Sequence, residues 1–567
     1  SSDLILQGML FLFNRTMKHL KRFSSYYLIG IGILLIALSP YVGGRLDLSE
    51  DGKYTLSESS EAILESIDAP LLVQVYLGGE DLPGGFMRLR KETLDLLSDM
   101  QSSAGANIEV QLIDVYDEYP TDENRAVLTR QLDSLGIPPT NLVHKDNGKQ
   151  VQQLVFPGLV ISKGALKTGV LLLKGNKLAS PEEAINQSIE GLEYEIIQGI
   201  QQLLPQERKK IGFFVEYSST PAIAQIDFIN SLKRKYDLFP IDLAASKTLD
   251  GLDGICVLQP SREFSEEDAY KIDQFIVKGG KAIFLMDGVK VDTVEKQGLF
   301  ISPKRNGLEN MLFHYGLRLN TNLVKDGQLS GMIPLNVGNL GDKPNIQLMP
   351  WPSYPLLKGN PDFILTKNLD AIYGKFTSTI DTIAGVALHK TPLLRTSQYT
   401  QVSQSPSMIS VNSAGKDFDP EAYKAGVQTA AYLVEGTFET AFPYVTEDTN
   451  FVAKGTAESA IIVVSDGDLA VNGVDYKLQQ AMPLGFDPFM KNTFANKDFL
   501  LNSFSYLLDE NSPLLARSKS IQLRPLDKAK IQADGTFYQV INIAVPLLFA
   551  TLISLAVVFY RKRKYNR

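Results

Sequence analysis

Residues 254–286, GICVLQPSREFSEEDAYKIDQFIVKGGKAIFLM, decide the fold class. Gly254 to Leu258 is a short unbroken apolar run bounded by turn residues, the pattern of a buried strand. Ser265 with Glu266, Glu267 and Asp268 behind it caps a helix, and Ile272, Phe275 and Ile276 recur on one helical face. Gly279-Gly280 stops that helix, and Lys281 to Met286 returns as a second strand. Strands alternating with helices at this spacing predict a parallel, doubly wound sheet.

Working outward, Lys210 to Val215 predicts a preceding strand, Ile223 to Tyr236 a helix, and Phe239 to Leu243 another strand. The pattern resumes at Ile461 to Ser465 and closes with a helix from Asn496 to Leu508. Between about residues 288 and 460 it loosens. A Pro/Gly-rich stretch (Ile333 to Leu357) and a Ser/Thr-rich one (Thr396 to Ser413) predict exposed loops on a β-rich insertion. One α/β domain is therefore expected over 206–535, with that insertion inside it.

A separate domain is expected over 46–205. Ser57 caps a helix, Leu71 to Leu77 and Ile108 to Val115 read as strands, and Phe86 to Ser102 and Thr121 to Leu135 as helices. Leu159 to Ser162 and Gly169 to Leu173 form a hairpin around Lys163-Gly164. The last helix opens on Ser180-Pro181-Glu182-Glu183, a capping box with Pro at the first helical position, and carries Ile185, Ile189, Leu192, Ile196, Ile200 and Leu203 inward. This β-α-β-α-β-β-α order resembles the thioredoxin fold, and Pro157 falls where that fold keeps a cis-proline. The loop Gly78 to Gly85 contains no cysteine, so redox chemistry is excluded there.

Two segments are long and apolar enough for a bilayer. Phe23 to Val42 is uncharged over 20 residues, and Val540 to Tyr560 over 21, each near the roughly 20 needed to span. Gly30, Gly32 and Ala37 in the first allow close packing on another helix. A cleaved signal peptide competes for the first segment, since Ala37-Leu38-Ser39 fits a small-residue cleavage site; the apolar run continuing through Val42 favours a span. Leu4 to Phe13 is apolar but too short to cross.

Charge orients the spans. Residues 1–22 hold Arg15, Lys18, Lys21 and Arg22 against Asp3, and 561–567 hold Arg561, Lys562, Arg563, Lys564 and Arg567. The chain as a whole is at −8, so the body between is strongly acidic. Basic flanks stay cytoplasmic, which puts both termini inside and the body in the periplasm. An acidic body also argues against nucleic acid, whose binding needs clustered cations.

Little in the chain points to catalysis. The single cysteine, Cys256, sits in an apolar run and reads as a small buried hydrophobe. No G-x-x-x-x-G-K-[ST] phosphate loop occurs, so ATP hydrolysis would belong to another subunit. His19, His144, His314 and His389 are scattered, without H-E-x-x-H or G-x-S-x-G, and no cofactor is implied. One constellation remains: Asp287-Gly288 and Asp466-Gly467, with Asp468, follow strands whose carboxyl ends face the ligand side of an open α/β sheet. They could bind a divalent cation or serve as acid and base in a membrane-anchored hydrolase; as turn residues they would simply bond local backbone.

The order of several short stretches resembles the GldG-type auxiliary subunit of the gliding-motility ABC transporter, within the group sharing the glutamine-amidotransferase-like GIFT domain. They are Asp47 to Ser57, Asp268 to Asp287, Pro392 to Ser397, Val434 to Phe438, Val464 to Asp468 and Asn496 to Asn502. The resemblance implies a non-catalytic subunit of the cytoplasmic membrane, partnered by a multi-span permease, a cytoplasmic ATPase and other gliding machinery. The expected architecture is α/β with two transmembrane helices, a thioredoxin-like domain, and a GIFT-like domain with a β-rich insertion. A purely structural tether would need only the same surfaces.

Overall fold

The computed structural model describes residues 55–509 apart from short breaks (80–81, 106, 147–148, 175–179, 206, 295–297, 416–418 and 444–449), then Leu514 and a helix over 528–565. The first predicted span, Gly30, Gly32, Ala37 and the Leu4 to Phe13 segment lie outside the described residues.

The first unit runs α1 (Glu58–Glu65), β1 (Leu71–Val75), α2 (Gly84–Ser103), β2 (Ile108–Leu112), α3 (Asp122–Ser134), β3 (Thr140–Asp146), β4 (Lys149–Val155), β5 (Gly158–Lys163), β6 (Leu166–Leu171) and α4 (Pro181–Gln201). Its sheet has the order β2-β1-β5-β6, with β1 parallel to β2 and antiparallel to β5, and β5 antiparallel to β6. Ser57 caps α1 through the Ser60 N–H at 3.2 Å. The capping box of α4 forms as expected: the Glu183 N–H donates to Ser180 Oγ at 3.3 Å and the Ser180 N–H to Glu183 Oε2 at 2.7 Å. Leu89, Leu97, Ile189, Ile196 and Ile200 of α2 and α4 bury one sheet face against Val73, Val75 and Ile161. Leu128 and Leu132 of α3 cover the other against Tyr76 and Val160.

Two features of this unit differ from expectation. The β3–β4 hairpin stands between α3 and β5 as a separate two-stranded ladder, unread because its alternation is broken by polar residues. Pro157 is not preceded by a cis bond; among the described residues the cis peptide is Ser405–Pro406.

The second unit begins with β7 (Lys210–Phe213), α5 (Ile226–Lys233), β8 (Asp237–Pro240), β9 (Gly254–Leu258), α6 (Glu266–Val277) and β10 (Lys281–Leu285). Further on it adds β11 (Ser330–Leu340), β12 (Lys343–Gly359), β13 (His389–Arg395), β14 (Thr429–Gly436), β15 (Ser459–Val464) and α7 (Asn496–Leu508). The main sheet runs β11-β12-β13-β14-β15-β10-β9-β7-β8. The strands β15, β10, β9, β7 and β8 are mutually parallel, as the strand-helix-strand pattern predicts. Successive side chains of a strand point to opposite faces. Cys256 and Leu258 therefore join Phe228, Leu232, Phe499 and Phe504 from α5 and α7, while Ile255 and Val257 join Ile272, Phe275 and Ile276 from α6. Cys256 is fully buried, which pushes its thiol pKa far up and makes it the small hydrophobe expected. Gly279 ends α6 at φ +102°, a conformation that glycine adopts without strain.

The stretch expected as an insertion is not a detached lobe. Its strands β13 and β14 continue the main sheet in antiparallel fashion from β15, and the end of β12 joins them. The Pro/Gly-rich stretch is no loop either, but most of the β11–β12 hairpin, paired from Met332↔Pro350 to Leu340↔Lys343. A hairpin at the sheet margin tolerates Pro334, Pro344 and Pro350, because missing N–H donors there break no interior ladder. The Ser/Thr-rich stretch is likewise partly buried: Thr396, Ser397 and Thr400 are inside. Buried Asp326 accepts the Ser397 N–H and hydroxyl, each at 2.7 Å, which makes a polar sequence tolerable in the interior.

A final helix, α8 (Lys528–Tyr565), contains Pro546 and the whole of Val540 to Tyr560. Its 19-residue window Asp534–Leu552 is long and apolar enough to cross a membrane, and none of its residues is buried within the chain.

Candidate functional site

Parallel pairing of β10 with β15 brings their carboxyl ends together, so Asp287 and Asp466 emerge side by side. Asp287 Oδ1 accepts the Gly467 N–H at 2.7 Å, and its Oδ2 accepts Lys304 Nζ at 2.9 Å. Asp466 is fully buried. Its Oδ2 accepts the Lys375 N–H at 2.7 Å and the Thr377 hydroxyl at 2.5 Å, and its Oδ1 accepts the Asp468 N–H at 3.1 Å. Asp468 Oδ1 accepts Gln259 Nε2 at 3.0 Å, and Gln259 Oε1 in turn accepts the Thr220 hydroxyl at 2.6 Å.

Glycine is required at 467: a Cβ there would lie 2.8 Å from Gln259 Cγ and 3.1 Å from Asp287 Oδ1. Two non-glycine residues beside the cluster, Gln259 (φ +41°) and Phe376 (φ +54°), sit in the left-handed region. Strain of this kind persists only where surroundings over-determine it, and it collects at functional sites.

Burial pushes the Asp466 carboxyl well above the usual range, and the charges of Asp468 and Asp287 push the same way, against the Thr377 and Lys375 hydrogen bonds. Asp468 is also raised, first by desolvation and then by Asp287. Asp466 lies beneath the floor, while Asp468 lines a cavity of about 320 Å³. Asp487, Lys375, Tyr354, Tyr373 and Asn496 share its wall. Desolvation, with the Asp468 and Asp466 charges behind it, pushes Tyr354 up to about 12. Tyr373 is raised by burial and by Asp487, and its ring stacks on Phe494 at 5.1 Å.

Sequence reading placed Asp287, Asp466 and Asp468 together, and the fold does bring them together. Both aspartates that open the two Asp-Gly turns bond backbone: Asp466 takes the local Asp468 N–H and Asp287 the N–H of the other turn. Among the described residues no group of three or more His, Cys, Asp or Glu side chains is arranged to hold a metal ion. The partners Gln259, Lys304, Lys375 and Thr377 were not legible in advance, since they come from three separate loops far apart in the chain. Gln259 carried one weak signal, its position just past a predicted strand.

Comparisons with known proteins cover most of the chain. Residues 208–503 match the family described as "ABC-type uncharacterized transport system", an auxiliary family, and residues 50–162 match a domain of unknown function, DUF7088. A protein of Borreliella burgdorferi described as uncharacterized is 19% identical over 544 residues, spanning 92% of this chain and 94% of the relative. Among solved structures, the mmIFT52 N-terminal domain overlaps 53% of this chain and 98% of that domain at 10% identity, with a TM-score of 0.30. A ThuA-like protein from Parabacteroides merdae overlaps 57% and 94% at 10% identity, with a TM-score of 0.25. Scores this low support no argument about fold or function. The family match spans more than half of the residues and takes in the main sheet from β7 to β15 and the first part of α7, so the chain belongs to the ABC-type transport system auxiliary family.

Proposed function

We propose that the chain is a non-catalytic, membrane-anchored auxiliary subunit of an ABC-type transporter complex, its two α/β units on the periplasmic side and both termini in the cytoplasm. The observation that carries this reading is the Asp534–Leu552 window of α8, apolar and with no residue buried by the chain, with Arg561, Lys562, Arg563 and Lys564 near the end of the same helix. A helix that is apolar all round needs lipid or another helix as its surroundings. Two single spans enclose no conduit, and the sequence has no phosphate loop. A multi-span permease and a cytoplasmic ATPase are the partners this composition requires.

The finer readings follow from the resemblance in sequence. Gliding motility is the process it suggests, and GIFT-like is the description it suggests for the second unit. A thioredoxin-like scaffold without redox cysteines describes the first, supported by the β2-β1-β5-β6 order with β1 and β2 parallel. Purification from native membranes in mild detergent tests the proposal. Permease and ATPase subunits are expected to co-purify in fixed ratio, and deletion of residues 528–567 to release the complex. Isolation of the chain alone, under conditions that keep a control ABC complex whole, overturns it.

A further inference from the structure

We infer that the cavity beyond the carboxyl end of β15 binds a small zwitterion with an apolar body, its ammonium on Asp468 and its carboxylate on Lys375. The inference deepens the auxiliary role proposed above by naming a substrate class, and it rests on that reading for its place in transport. The cavity has a volume of about 320 Å³, at the lower end of the range for ligand clefts and suited to one small molecule rather than a length of polymer.

Two opposite charges line this space without pairing. Asp468 Oδ1 accepts Gln259 Nε2, while its Oδ2 has no donor among the described residues. Lys375 Nζ stands 5.8 Å from the centre of the Tyr373 ring and forms no ion pair or hydrogen bond among the described residues. Its charge nevertheless reaches Asp468: burial and then Asp287 raise that carboxyl, and Lys375 is the foremost group lowering it. Both residues are anchored by their backbones. The buried Asp466 carboxyl takes the Lys375 N–H on one oxygen and the Asp468 N–H on the other, so one group sets the spacing of the two. Gln259, tied to the Thr220 hydroxyl, then fixes which way the Asp468 carboxylate turns. A preorganised pair of this kind presents one site for a ligand charge of each sign.

The rest of the wall narrows the class. Asp487 also lines it, but its Oδ1 accepts the Phe489 and Met490 N–H groups, at 2.8 and 2.7 Å, and the Tyr373 hydroxyl bonds the same carboxylate. Its needs are met within the chain. A lone anion would face Asp468 and a lone cation Lys375, each a like charge in a partly dehydrated site, whereas a zwitterion matches both. Met332, Ile333, Met482, Phe486 and Phe489 form an apolar side, and Phe489 is 51% exposed, surface that an apolar ligand body would cover. By contrast, the cleft of about 450 Å³ between β6 and the Asn492–Asp498 segment holds its lysines paired, Lys174 with Glu195 at 3.1 Å and Lys497 with Asp227 at 2.6 Å.

Isothermal titration calorimetry on the full-length protein in detergent tests this inference. The probes are L-leucine, L-methionine and L-phenylalanine as zwitterions, leucinamide as the cation, N-acetyl-leucine as the anion, and the dipeptide leucyl-leucine as a longer zwitterion. At least one zwitterion is expected to bind about tenfold more tightly than either single-charge analogue; preference for the dipeptide would identify peptides rather than free amino acids as the source. Lys375→Gln is expected to weaken the zwitterion about tenfold and leave leucinamide no weaker, and Asp468→Asn to weaken the zwitterion and leave N-acetyl-leucine no weaker. A variant that merely loosened the fold would weaken every probe alike. No saturable heat at about ten millimolar zwitterion overturns the inference, and so does equal binding of the single-charge analogues or a uniform loss across probes in both variants. Co-purification of permease and ATPase with a chain that binds no zwitterion sinks the inference and leaves the auxiliary role; zwitterion binding by a chain that purifies alone does the reverse.

Discussion

Two polar regions of this molecule invite comparison: the aspartate cluster beyond β10 and β15, and the cleft between β6 and the Asn492 segment. The first concentrates charge, yet its carboxylates are met by donors from the chain itself, down to Asp466 with three. The second concentrates little net charge, yet among the described residues its Asn492 side-chain amide and the outer edge of β6 have no partner. Unmatched hydrogen-bonding capacity, rather than charge density, is what marks a surface that needs a partner. The aspartates hold loops together, and the cleft holds them apart.

The contrast breaks most directly at Asp466. Asp466→Ala strands the Lys375 N–H and the Thr377 hydroxyl in the interior, and a loss of about 3 kcal/mol in denaturant unfolding is expected. A loss below about 1 kcal/mol would mean that water already serves those donors. The same residue sets a pH dependence. Its native pKa is raised while the unfolded chain ionises near 3.8, so the native state binds the proton more tightly. Stability contributed by this group is full below 3.8 and is lost as pH rises toward the native pKa. Melting temperatures across pH 3.5 to 8 are expected to show this fall superimposed on other titrations, and Asp466→Asn to flatten it.

Smaller effects sharpen the other side of the contrast. The two units are joined by a buried hydrogen bond from the Tyr194 hydroxyl on α4 to Asn502 Oδ1 on α7, at 2.8 Å. Tyr194→Phe removes the donor and is expected to cost about 1 to 2 kcal/mol and to separate the unfolding of the units, seen as a second transition by calorimetry. Asn492→Leu is expected to change stability least, within about 0.5 kcal/mol, because it deletes a donor that has no partner among the described residues. Destabilisation by more than about 1.5 kcal/mol would show that Asn492 is bonded after all, and would return the cleft to the same class as the aspartate cluster.

Much of the second sheet was legible because its signals are local. The run at Gly254 to Leu258, the cap at Ser265 and the stop at Gly279 act within one or two turns of chain, and β9, α6 and β10 follow them closely. Prolines and hydroxyls misled for the opposite reason. Pro334 and Pro350 read as loop, and Thr396 to Ser413 as surface, because sequence does not disclose a sheet margin or a buried Asp326. The antiparallel continuation through β13 and β14 was missed because those strands return to the sheet edge across long intervening segments.

By itself the sequence determined which faces are apolar, where helices start and stop, that the chain carries no phosphate loop or cysteine pair, and that Val540 to Tyr560 is fit for a bilayer. Those are properties of composition and short-range periodicity. Only the tertiary structure decided that Asp466 is sealed under Lys375 and Thr377, some ninety residues away in the chain, and that the edge of β6 faces Asn492 across a cleft. The physical reason is that hydrogen-bond satisfaction is settled by neighbours in space. No window of sequence records which donors have found an acceptor and which have not.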